Sequence, residues 1–245
     1  MEQALNSTLT QTLPPTEILL IDDASGDGSL DLLRQLETVH APHVKVISLP
    51  KNMGPGVARN AGWETATQPW LAFLDADDMW HPRKLEIQWA WLLAHPEVAL
   101  CGHASKFLQG QMNIPIEESP AAIPLSMKKM LISNRLPTRS VMLRRDLPFR
   151  FRGKDVTEDY LLWLEVISAG YPAYRLEVPL AFSLHPDFSS GGYSGRLWVH
   201  EKRELSAIRE LFKNDRLGIV IYILATAWSY VKFLRRLWLM RSATS

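Results

Sequence analysis

Short apolar runs that stop at carboxylates set the rhythm of the N-terminal part of the chain. Glu17-Ile18-Leu19-Leu20-Ile21-Asp22-Asp23 follows the breaker Pro14-Pro15 and reads as a buried strand entering a loop. Ser25 to Ser29 is turn chemistry, with Ser29 expected to cap a helix that starts near Leu30. Val44 to Leu49 is a second strand, closed by Pro50, and Gly54-Pro55-Gly56 opens a helix through Gly62. Trp70 to Leu74 is a third strand, again ending in acids at Asp75, Asp77 and Asp78. Lys84 to His95 has the spacing of an amphipathic helix, and Val98 to Gly102 of a fourth strand. Alternation of this kind predicts an α/β fold: an open mixed sheet, mostly parallel, flanked by helices. Ligands in such sheets bind beyond the carboxyl ends of the strands, where two of these strands present acids.

The rest of the chain is less regular. Residues 109 to 145 show little periodicity, and Ile114 to Pro124 reads as a surface loop. Thr157 to Ala169 predicts a helix headed by Glu158 and Asp159, and Tyr174 to Phe182 a strand. Ser183 to Gly195 is a Gly/Ser-rich loop containing His185, and Trp198 to Phe212 a charged surface helix. Leu217 to Val231 carries no charge and is followed by Lys232, Arg235, Arg236 and Arg241. As a helix that stretch is about 22 Å long, short of the roughly 30 Å of hydrocarbon it would have to cross. It reads as an interfacial helix with snorkelling bases, or as a terminal helix packed on the protein's own core. The expected division is a main domain over 1–212 and an apolar, basic helical tail over 213–245.

Composition narrows the class. With 47% hydrophobic and 22% charged residues the chain is expected to fold, and a net charge of +1 gives no field to recruit nucleic acid. The lone Cys101 has no disulfide partner in the chain, which suits a reducing cytoplasm. It sits in an apolar run that favours a small buried hydrophobe over a nucleophile.

Asp75-Ala76-Asp77-Asp78 carries the strongest chemical signal. Bare carboxylates would repel a nucleoside diphosphate, whereas a hard divalent cation bridges carboxylate and phosphate oxygens. The alternative is a helix-capping acidic loop. Asp22 and Asp23 suit a base N–H and ribose hydroxyls, or else a cap. The glycine-rich turn of Asn52 to Gly62 offers backbone and a helix N-terminus to a diphosphate. Arg59 follows one turn later, as a ligand contact or as an ion-pair partner of Asp22 or Asp23. Glu158 and Asp159 are either caps favoured by the helix dipole or a general base for an acceptor hydroxyl. His185 is a candidate metal or phosphate ligand.

Taken in order, Ala4 to Thr12, Glu17 to Ser29, Asn52 to Gly62, Trp70 to Trp80, Thr157 to Trp163 and Leu184-His185-Pro186 resemble the inverting family 2 glycosyltransferases of bacteria. The resemblance implies a GT-A fold, a nucleotide-sugar donor (UDP- or dTDP-sugar), Mg2+ or Mn2+, and inversion at the anomeric carbon. It implies Asp22, Asp23, Arg59, Asp75 and Asp77 as donor-binding, Asp77, Asp78 and His185 as metal ligands, and Asp159 as catalytic base beside Glu158. The acceptor would be a glycan or a lipid-linked glycan, used on the inner face of the cell membrane in building surface polysaccharide. Members of that family begin with an apolar strand that has no counterpart here, so residues 1–212 are expected to be an N-terminally incomplete domain. The rival reading is a non-catalytic relic serving as a membrane-associated interaction protein. A dehydrogenase is disfavoured because no Gly-x-Gly-x-x-Gly follows a strand.

Overall fold

A computed structural model describes residues 1–108, 116–153, 157–184 and 197–243. Helix α1 (Glu2–Leu9) leads to β1 (Ile18–Asp22), α2 (Ser29–His40), β2 (Val44–Ser48), α3 (Pro55–Thr65), β3 (Trp70–Ala72), β4 (Asp78–Trp80) and α4 (Lys84–Ala94). Next come β5 (Leu100–Phe107), β6 (Ala122–Pro124), α5 (Met127–Ile132), a 3-10 turn (Thr138–Ser140) and β7 (Met142–Arg144). The chain closes with α6 (Glu158–Ser168), β8 (Ala173–Ser183), α7 (Leu197–Lys213) and α8 (Ile219–Ala243). The breakers act where the pattern placed them, since Pro55 occupies the first turn of α3 behind Gly54, whose φ of 92° suits glycine. Ser29 is the exception. It lies inside α2, which Gly28 caps, and its hydroxyl and N–H both go to Asp27.

The strands form two sheets, a parallel pair β1–β2 and a six-stranded mixed sheet whose longest ladder, β5–β8, is also parallel. Short strands β3, β4, β6 and β7 join antiparallel, in the order β3-β7-β5-β8-β4 with β6 on β8. One apolar core surrounds α6, where Leu162, Trp163 and Leu164 are fully buried. Another lies between α4 and strands β5 and β8. Cys101 is buried in β5, and burial pushes its thiol up to about 12, so it behaves as a hydrophobe.

Among the described residues β1 pairs only with β2 and β3 only with β7. Between them lies a cavity of about 610 Å³ lined by Leu19, Ile21, Leu71 and Phe73, with Leu5 of α1 beside it. Helix α8 packs against α7, its Tyr222 stacked on Phe212 at 4.5 Å.

Candidate active site

Helix α3 organises the acids. Asp23, just past β1, accepts hydrogen bonds from the backbone N–H groups of Met53 (2.7 Å) and Gly54 (2.6 Å), which ties the end of β1 to the start of α3. One turn on, the Arg59 guanidinium donates to Asp75 beyond β3 (2.7 Å) and to Glu158 at the head of α6 (3.1 Å). Burial opposes its charge, but Asp75 and the acids of α6 more than offset this and hold Arg59 above its ordinary range. Of the two readings of Arg59, ligand contact or ion pair, the ion pair forms with Asp75 and Glu158 in place of Asp22 or Asp23. Glu158 is itself raised, first by burial and then by the neighbouring Asp159. Close approach makes this clamp possible. A Cβ on Gly56 would lie 2.4 Å from the Arg152 carbonyl oxygen and 3.2 Å from Glu158 Cγ.

The three acids after β3 divide. Asp75 is half-exposed beside Arg59, and Asp77 is exposed. Asp78, expected as a metal ligand, is committed elsewhere: it is buried on β4 and paired with Arg139 at 3.1 Å. Burial outweighs that pairing and pushes its carboxyl up to about 6. Asp22 is likewise buried, accepting from Ser25 N–H and the Ser48 hydroxyl, so it holds the loop together from within.

Asp159 accepts a 2.9 Å hydrogen bond from the Thr138 hydroxyl. The 3-10 turn around Thr138 escaped sequence reasoning. Its next residue, Arg139, holds Asp78 and the Ser105 hydroxyl (2.7 Å), so one short turn braces both the acidic loop and the head of α6. Polar residues in a segment without periodicity carry no signal of that role. His185 lies outside the described residues.

Among the described residues no three His, Cys, Asp or Glu side chains form a ready-made cation cage. Mg2+-type sites with a bound diphosphate need only one or two carboxylates, the phosphates and water supplying the rest. The half-exposed Asp75 and exposed Asp77 fit that donor set; Asp78 does not.

The profile described as Glycosyl transferase family 2 matches residues 1–148. The putative teichuronic acid biosynthesis glycosyltransferase TuaG of Bacillus subtilis is 26% identical over 237 residues, 95% of this chain and 88% of that protein. The amylovoran biosynthesis glycosyltransferase AmsE of Erwinia amylovora is 28% identical over 97% of this chain and 88% of its own length. Among solved structures, S. aureus TarS 1-349 in complex with UDP-GlcNAc superposes with a TM-score of 0.70 at 19% identity, covering 96% of this chain and 68% of that one. The mannosyltransferase PcManGT from Pyrobaculum calidifontis, in complex with GDP-Man and Mn2+, gives 0.65 at 16% identity over 94% of this chain and 69% of that one.

Proposed function

Because the chain belongs to glycosyl transferase family 2, we propose that it transfers a sugar from a UDP- or dTDP-sugar to a hydroxyl of a glycan or lipid-linked acceptor, with inversion and with a divalent cation. One observation carries the reading: Arg59 joins the acidic loop after β3 to the head of α6, bringing Asp75 close to Glu158 and the neighbouring Asp159. Asp159, held by Thr138, accepts the proton of the attacking hydroxyl as its oxygen bonds to the anomeric carbon and the C–O bond to the diphosphate breaks. Asp75 and Asp77 would hold Mg2+ or Mn2+, which when bound offsets charge on the leaving diphosphate. Arg59 and Glu158 keep Asp75 oriented, and Asp23 fixes the glycine turn that faces the phosphates.

Residues 1–212 form the catalytic domain on this reading, and the cavity between β1 and β3 is where one more extended segment would complete the sheet. Fast amide exchange on the cavity side of β1 and β3 supports an open edge there; slow exchange rejects it. The transferase works at the inner face of the cell membrane, where a lipid-linked acceptor resides.

Calorimetry with UDP, with and without Mn2+, tests the donor site. Binding should depend on metal and be lost in Asp77→Ala. Equal affinity with and without metal, in folded protein, would overturn the metal assignment. TuaG and AmsE are named for teichuronic acid biosynthesis and amylovoran biosynthesis, which supports a surface-glycan product.

A further inference from the structure

Helix α8 turns polar side chains inward, beside a few apolar ones such as Tyr222 on Phe212 and Phe233 on Trp198. The Ser229 hydroxyl donates to buried Glu201 at 2.8 Å, Lys232 pairs with buried Glu204, and Arg236 lies 3.7 Å from the same carboxylate. Among the described residues Ala225 is the one buried apolar side chain of the helix. The outward positions are aliphatic and aromatic, with Val220 65%, Leu224 64%, Val231 52% and Leu234 62% exposed. Among the described residues Arg235 is the one charged side chain on that exposed surface. Snorkelling by Arg236, expected from sequence, therefore does not occur: Glu204 draws it inward together with Lys232.

An apolar stripe running about 21 Å along a helix, from Val220 to Leu234, exceeds what solvated surfaces ordinarily leave bare, and it calls for an apolar partner. No helix among the described residues is long and apolar enough to cross a membrane, so α8 would lie along the surface, not through it. The helix carries Lys232, Arg235, Arg236 and Arg241 and no acid. A second copy would bring no carboxylate on its own α8 to answer Arg235, whereas an anionic lipid surface answers it directly. Tyr230 and Trp228 are half-exposed at the edge, and the Trp228 indole N–H is bound to the Ile132 carbonyl (2.9 Å). Amphipathic rings of this kind favour the headgroup level.

We propose that α8 docks flat on an anionic bilayer through the stripe of Val220, Leu224, Val231 and Leu234, with Glu201 and Glu204 holding its polar face against α7. The inference deepens the reading of a membrane-surface transferase by naming its docking element, and its test uses neither donor nor acceptor.

The full chain is sedimented with vesicles of phosphatidylglycerol and phosphatidylethanolamine, and separately with vesicles of phosphatidylcholine alone. Binding should be strong to the anionic vesicles, fall at high salt, and drop at least roughly tenfold in Leu224→Glu/Val231→Glu, the exposed leucine alone accounting for that much. An unchanged unfolding midpoint and unchanged UDP affinity show that the variant is folded and its donor site intact. Wild-type protein left in the supernatant, or a double variant that binds equally well, overturns the proposal. So does a dimer in sedimentation velocity that the double variant dissolves, because a second copy then covers the stripe. UDP binding without vesicle binding rejects this inference and leaves the donor site standing.

Discussion

Lys84 opens α4 with its ammonium fully buried, over the face of Trp80 at 3.9 Å and without a hydrogen-bond partner among the described residues. Cys101 and His103 are the titratable groups facing it. Burial pulls Lys84 down from 10.5 to about 7, and burial also holds His103 well below its ordinary value. A fall of that size corresponds to about 5 kcal/mol of destabilisation when the amine is protonated in folded and unfolded chain alike. Contact with the indole returns about 0.5–2 kcal/mol. Lys84→Met keeps the chain length and removes the charge, so it should stabilise the protein by about 3 kcal/mol near pH 6, or about 6–12 °C.

The sign of the pH dependence follows from proton counting. Below about pH 7 both states hold the proton and the cost is present in full. Between about 7 and 10.5 the unfolded chain holds a proton that the folded chain has lost. Wild-type stability therefore rises with pH across that window, and the advantage of the variant shrinks. Urea unfolding of both proteins at a series of pH values measures the difference directly, with other titrations cancelling. A variant less stable than wild type near pH 6, or a difference that stays constant with pH, would refute the reasoning and place a partner on the ammonium.

Two further outcomes follow from the site. Asp159→Asn should lower transfer by about 10²–10⁴-fold while leaving UDP affinity unchanged, because the carboxylate serves the acceptor; steady-state rates beside calorimetry check both halves. Gly56→Ala places a methyl against the Arg152 carbonyl and should cost about 1–3 kcal/mol in thermal unfolding. It should weaken UDP binding as well, since the displaced Glu158 is a partner of Arg59.

Local pattern was enough to outline most elements. Apolar runs bounded by proline and glycine marked β1, β2, β3 and α3, because strand and helix periods are properties of neighbouring residues. The same runs marked where Asp23, Asp75 and Glu158 enter the fold, since each stands at the end of an element with its own signal. What those acids do to one another was decided by long-range contact. Arg59 reaches residues 16 and 99 positions away, and nothing near Arg59 in sequence names Asp75 or Glu158 as its partners. Asp78 reads like its neighbours Asp75 and Asp77, yet one step along β4 turns it into the interior against Arg139. The brace at Thr138 and Arg139 sits in a stretch without periodicity, so only the packed structure reveals it. The tail shows the same division. Its apolar and basic composition was plain, but which face looks outward depended on Glu201 and Glu204 being buried on α7, where they draw the polar side of α8 inward.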